Sequence, residues 1–338
     1  MTRFFRAMAA AAAVLMPLAP SQAGSRESAQ NIDEVQTAFD SLFGTQVRAP
    51  RTYNSGFERQ LASLAEASRG RIGVAAIDLA TGRTTDVLGS QRFPMASTSK
   101  IAIAATFLDG VDQGRWTLND QFPLMMPLPS APFSTAVAPV RAGAALSARE
   151  LIEQMITRSN NFATDALLRV VGGPQAVNAW VRRAGISDWH IDRDIATLVR
   201  DDGAINPATV IDTRDSATPL AMANLVAGIY QGRWLSPSSR GVLLGAMSRC
   251  ATGKRRIPAM LPTGAAVSHK TGSLSNTSSD VGVIQTPDGR AFAVAIYVTG
   301  QGNRLAREQR IASIARAVYD GYASDPAGNV LYGRTASR

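Results

Sequence analysis

Cysteine is almost missing: Cys250 is the single one in 338 residues, so no intramolecular disulfide can brace the fold. It lies outside the first turn of any helix the pattern supports and reads as a packing or surface residue. Histidine is nearly as scarce, with only His190 and His269. A zinc site commonly takes three or more protein ligands and would need both histidines and the one cysteine together, so no metal and no cofactor is expected. Aromatic residues make up 6% and charged residues 18% of the chain. The net charge is +9, yet Lys and Arg are scattered, with no basic stripe and no interleaved aromatics, which argues against nucleic acid. Attraction to an anionic envelope surface is the milder consequence. What is abundant is apolar residues, 45% of the chain, enough at this length to bury a substantial core.

The longest uninterrupted apolar character lies at the start. Arg3 and Arg6 precede a run from Ala7 to Leu18, and Ser21-Gln22-Ala23 places small residues where a signal peptidase reads. The run is shorter than the roughly 20 residues a bilayer requires. Residues 1–23 are therefore expected to be a signal peptide cleaved near Ala23, with no later membrane span. The mature protein is then periplasmic or secreted. Residues 24–52 are polar, hold one candidate helix over Asp33–Phe43, and read as an N-terminal arm.

Phe57, Leu61, Leu64 and Ala65 recur at helical spacing. "RIGVAAIDLATGRTTDVLG" then reads as two strands joined at Thr81-Gly82. From Pro94 to about Gly232 the pattern is helical, with Pro- and Gly-rich loops at 123–140 and 200–209. "AAVSHKTG", "SSDVGVIQ" and "AFAVAIYVT" read as three more strands, and Ile311, Ile314, Ala315, Val318 and Tyr322 mark a closing amphipathic helix. Strands at both ends with helices between imply that the two ends meet in one sheet. One domain over 53–323 is expected, with a helical insertion at about 94–232 and a tail at 324–338.

"FPMASTSK" at 93–100 carries the chemistry. Ser97 stands three residues before Lys100 at the start of an apolar helix, which puts both on one face of its first turn. The helix N-terminus favours an alkoxide, and burial makes the lysine a neutral amine able to take the hydroxyl proton. Alone, such a pattern also fits an ordinary helix cap with a surface lysine. It does not stand alone. "MITRSNNFATDALL" with Ser159 and Asn161 follows, and "VSHKTGS" with Lys270-Thr271-Gly272 ends a strand.

In order, spacing and context these three segments resemble the motifs of penicillin-binding proteins and class A β-lactamases. "GVAAIDLATGR", "DTRDSATPLAMA" and "CATGKRRIPAMLP" extend the likeness over roughly 54–323. The resemblance implies a five-stranded antiparallel sheet flanked by helices, with an inserted all-helical domain. It also implies an acyl-enzyme at Ser97, hydrolysing β-lactams. Acting on peptidoglycan-like peptides as a D,D-peptidase-like hydrolase, or holding the acyl group as a penicillin sensor, are the other readings.

Roles follow position by position. Ser97 would be the nucleophile, Lys100 the acylation base, and Ser159 a proton relay between Lys270 and the leaving nitrogen. Asn161 would bind the acylamino side chain, and Thr271, Ser273 and Arg256 the carboxylate. The N–H groups of Ser97 and Ser273 would form the oxyanion hole. Relatives are mostly monomers.

The chain departs from the family twice. Asn160 replaces an aspartate, removing a charge and a structural acceptor. More seriously, the loop opening at Asp192-Arg193 places Ile195 and Val199 where the family has the glutamate and asparagine that activate the deacylating water. Arg193 and Asp215 would still close the loop. Asp194, Asp201 or Asp202 on a rerouted loop, or Lys100 itself, are the candidate deacylation bases.

Overall fold

The computed structural model describes Tyr53 and residues 55–324; the leader, the Asp33–Phe43 candidate helix and residues 325–338 lie outside them. Helix α1 (Gly56–Leu64) opens with a capping box in which Ser55 accepts from the Glu58 N–H. Strands β1 (Ile72–Asp78) and β2 (Thr84–Val87) follow. At the other end β8 (Ala266–Leu274), β9 (Thr277–Gln285) and β10 (Ala291–Thr299) run into the long helix α9 (Arg304–Ala323). The five strands form one antiparallel sheet in the order β2-β1-β10-β9-β8. The two ends of the chain meet where Ile72 opposes Val298 and Asp78 opposes Phe292.

Every residue of β10 is buried. Successive strand residues point to opposite faces, so the sheet is covered on both sides. Helices α7 (Pro219–Tyr230) and α9 pack on it.

Between β2 and β8 the chain passes through β3 (Phe93–Pro94), a 3-10 turn (Ala96–Ser99) and α2 (Lys100–Asp112). Helix α2 is buried nearly all round, including Lys100, as a central rather than a surface helix must be. Helices α3 (Ala148–Thr157), α4 (Asn161–Val171), α5 (Gly173–Arg183), α6 (Ile195–Arg200) and α8 (Pro237–Ser248) complete the helical part. Helix α8 carries helical structure past Gly232 and packs against β8.

One stretch differs from expectation. Gln121–Pro127 (β4) and Val140–Ser147 (β5) pair as an antiparallel ribbon with an irregularity between Pro123 and Met125. The prolines that suggest a loop are tolerated because a two-stranded ribbon is all edge, where a missing N–H costs no ladder bond.

Candidate active site

The turn that carries Ser97 is set by backbone strain. Ala96, just before it, has φ +48°, a left-handed conformation that a residue with a side chain adopts at a cost. Strand β8 passes close beside it: a Cβ added to Gly272 would come within 2.6 Å of the Met95 carbonyl oxygen and 3.2 Å of the Ala96 Cβ. Only glycine lets the Lys270-Thr271-Gly272 strand lie against the serine turn.

Lys100, at the first position of α2, is wholly buried. Its Nζ lies 2.8 Å from the Ser159 carbonyl oxygen, 3.1 Å from Ser159 Oγ and 2.7 Å from Asn161 Oδ1. Lys270, also wholly buried, donates to the same Ser159 Oγ at 3.0 Å and to the Thr271 carbonyl at 2.8 Å. A single hydroxyl therefore bridges two buried amines. Ser159 reaches this place through a left-handed backbone, φ +57°. Asn160 beside it caps α4, its Oδ1 accepting from the Phe162 and Ala163 N–H groups. The acceptor expected to go with the aspartate is thus kept, and only the charge is gone.

Burial and the neighbouring Lys270 charge hold the Lys100 pKa well below that of an ordinary lysine, against a smaller upward pull from Asp165. Burial alone is the largest cause bringing Lys270 down to about 8. Two ammonium groups crowded around one hydroxyl out of water cannot both stay charged cheaply.

On the other side of β8, Thr271 Oγ1 shares a 2.6 Å hydrogen bond with Thr252 Oγ1. Arg256 is 1% exposed. Its Nη2 donates to Ser273 Oγ at 2.7 Å, its Nη1 to the Gly272 and Ser279 carbonyls, and it pairs with Glu308 at 3.2 Å. It is a buried guanidinium held between Ser273 and Glu308, not a solvated charge.

The loop after Asp192 closes as expected: Arg193 Nε and Asp215 Oδ2 lie 2.6 Å apart. The three aspartates named as candidate bases are engaged elsewhere. Asp194 caps α6, accepting from the Thr197 N–H at 2.8 Å. Asp201 pairs with Arg200 at 2.8 Å and accepts from the Phe133 N–H. Asp202 accepts twice from the Ser275 N–H.

A carboxyl that sequence inspection passed over lies nearer. Asp165 on α4 is 6% exposed and accepts from the Ile195 and Ala196 N–H groups at 2.7 and 2.8 Å. Its one sequence signal is a position one helical turn after Asn161 on the same face. His269 and Cys250 are likewise more than packing. His269 Nδ1 sits 2.8 Å from Asp280 Oδ1. Cys250 is only partly buried, and although burial works against it, His269 brings its thiol down to about 7.

Known proteins converge on this arrangement. The family model described as "Beta-lactamase enzyme family" matches residues 56–322. Beta-lactamase CTX-M-25 of Escherichia coli is 33% identical over 269 residues, covering 78% of this chain and 89% of that protein. Beta-lactamase CTX-M-8 of Citrobacter amalonaticus is 32% identical over 270 residues with the same coverage. Among solved structures, an ancestral (GNCA) class A beta-lactamase superposes with a TM-score of 0.69 at 35% identity, covering 78% of this chain and 99% of that one. A beta-lactamase from Chitinophaga pinensis gives 0.68 at 28%, covering 79% of this chain and all of that one. With the family model spanning nearly the whole described chain, and with Lys100, Ser159, Asn161 and Lys270 of the motifs hydrogen-bonded in one place, the protein belongs to the beta-lactamase enzyme family.

Proposed function

We infer that this protein is an exported serine hydrolase that opens β-lactam rings through an acyl-enzyme at Ser97. The observation that carries the reading is the Ser159 hydroxyl, 3.1 Å from Lys100 Nζ and 3.0 Å from Lys270 Nζ. In the neutral state of Lys100 the amine lone pair is open to a proton, and burial beside Lys270 favours that state. Ser97 loses its proton to Lys100 as its Oγ bonds to the lactam carbonyl carbon. The ring C–N bond breaks, and the nitrogen takes a proton through Ser159, which is replenished from Lys270; the proton that Lys100 took then passes through the same Ser159 hydroxyl to Lys270, leaving Lys100 a neutral amine again. The N–H groups of Ser97 and Ser273 are assigned to the developing oxyanion. Asn161 is assigned to the acylamino group, and Thr271, Ser273 and Arg256 to the carboxylate, for which Arg256 supplies a fixed positive charge behind Ser273.

Deacylation is assigned to Lys100 as well. Ile195 and Val199 cannot polarise water, and the oxygens of Asp194, Asp201 and Asp202 hold loop backbone or pair with Arg200. Water then gives its proton to the Lys100 amine as its oxygen bonds to the acyl carbon. The Ser97 Oγ bond breaks, and Lys100 returns the proton to the serine.

The leader over 1–23 supports export to the periplasm or beyond, and among the described residues no helix is long and apolar enough to cross a membrane. All these side chains come from one chain, which suits a monomer.

The test is a chromogenic cephalosporin mixed with purified protein, following turnover and intact mass together. Sustained hydrolysis with a transient adduct on Ser97 is expected. A permanent adduct after one burst would instead make this a penicillin-binding or sensing protein. Hydrolysis that survives Ser97→Ala would end the assignment of the nucleophile.

A further inference from the structure

Two lysines, Lys100 from α2 and Lys270 from β8, are wholly buried around one serine. Burying like charges is tolerated only with a compensating charge close by. The groups facing Lys270 are Cys250, Asp280 and Arg256. Those facing Lys100 are Lys270 itself and, from α4, Asp165.

Asp165 is built into the site from three directions. It follows Asn161, which hydrogen-bonds Lys100 at 2.7 Å, by one helical turn. Its two carboxylate oxygens separately accept the N–H groups of Ile195 and Ala196 at 2.7 and 2.8 Å, Ile195 being the position where the deacylating glutamate is missing. With Asn161, Phe162, Ile195 and Ala196 it also lines a cavity of about 260 Å³. Each oxygen has a second lone pair beyond the one it gives the loop.

We propose that Asp165 is a positioning residue that takes over the electrostatic share of the missing loop carboxylate: its buried charge stabilises the ammonium form of Lys100 as that lysine accepts a proton, while its oxygens fix the loop over the acyl group. This rests on the reading of Ser97 and Lys100 given above. No new bond is involved. The proton passes from water to the Lys100 Nζ and back to Ser97 Oγ, and Asp165 lowers the energy of the state in which Lys100 holds it. The charge is present only when Asp165 is ionised. Burial is the largest cause raising its pKa to about 7, with Asp194 at the head of α6 adding to the rise and Lys100 opposing it.

The step that Lys100 serves should therefore show an acid limb set by Lys100 itself and held at higher pH by the Asp165 carboxylate. The experiment measures single-turnover acylation and deacylation of a chromogenic cephalosporin from pH 5 to 9, with intact mass reporting the Ser97 adduct. The parent, Asp165→Asn, Asp165→Glu and Ile195→Pro are compared. Asp165→Asn should move the limb to lower pH and deacylate measurably more slowly at pH 8, because Lys100 loses the charge that favours its ammonium form. Asp165→Glu, which keeps the charge, should return the limb to its place even if substrate binding weakens. Ile195→Pro removes one N–H donor from the carboxylate at the first helical position, where proline is tolerated. Since that N–H lowers the Asp165 pKa, its loss leaves less of the charge and the limb should move to lower pH.

A folded Asp165→Asn with the limb in place, altered only in KM or melting temperature, would overturn the proposal and leave Asp165 a loop anchor. An unmoved limb in Ile195→Pro would overturn it too, and does so even where Asp165→Asn fails to fold. Absence of any Ser97 adduct in the parent would instead sink the acyl-enzyme reading.

Discussion

At the scale of single residues, Arg256 shows how burial decides a role that spacing leaves open. As one basic residue before a strand it fits a surface charge equally well. With 1% exposure and hydrogen bonds to Ser273, Gly272 and Ser279 it is instead fixed in place by its surroundings. Arg256→Ala removes the donor that holds Ser273 Oγ and, through Ser273, should raise KM about tenfold for a carboxylate-bearing substrate. Steady-state kinetics check this. A fall in kcat at constant KM would mean that the residue acts on the reacting carbonyl, not on binding. Ser97→Ala should reduce turnover on the order of 10⁴-fold or more, because removing a nucleophile disables the whole constellation. Ser97 and Lys100 stand out by their spacing at a helix start, and Ser159, Asn161 and Lys270 through the resemblance of their short motifs to those of the family. Asp165 does not stand out, because its partners Ile195 and Ala196 lie 30 and 31 residues away, and no local pattern joins them.

At the scale of elements, the loop over 128–139 and helix α6 are fastened to each other. The Ala138 N–H donates to Thr197 Oγ1 at 2.8 Å, the Phe133 N–H to Asp201, and Arg200 donates to the carbonyl and hydroxyl of Thr135. This explains why Asp201 holds the loop: its oxygens serve the Arg200 guanidinium and a backbone N–H. Thr197 is 2% exposed, so Thr197→Val leaves the Ala138 N–H without its acceptor in a buried place. A cost of about 1–3 kcal/mol is expected by denaturant unfolding, with faster hydrogen exchange confined to 128–139 and 195–201. Exchange that quickens evenly over the whole chain would show that the two segments do not behave as a unit. The strands and closing helix of the sheet could be read from alternation and 3.6-residue periodicity. The ribbon of β4 and β5 could not, because its prolines carry the signature of a loop and its pairing is set by tertiary contact.

At the scale of the whole molecule, stability against pH sums terms of opposite sign. Burial opposes the charge on His269, but Asp280, 2.8 Å away, and Cys250 raise its pKa to about 10 from 6.5. A pKa raised by folding means that this pair contributes in full below pH 6.5 and is lost as pH climbs through about 10. Lys270 behaves in the reverse way. Its pKa is lowered to about 8 from 10.5, so it favours the folded state above 10.5 and progressively less as pH falls through 8. Lys100 has the same sign. Between pH 7 and 10 the two lysines gain what His269 loses, and the melting temperature of the parent alone cannot separate them. A difference does. In a Cys250→Ser parent, which takes away the thiol that His269 also shifts, His269→Asn retains the hydrogen bond to Asp280 while removing the charge, and both lysines are common to parent and variant. The parent should therefore melt well above His269→Asn at pH 7, and the gap should narrow steadily to pH 10. A gap of constant width would mean that His269 is neutral in the folded protein and that Asp280 holds it by hydrogen bonding alone.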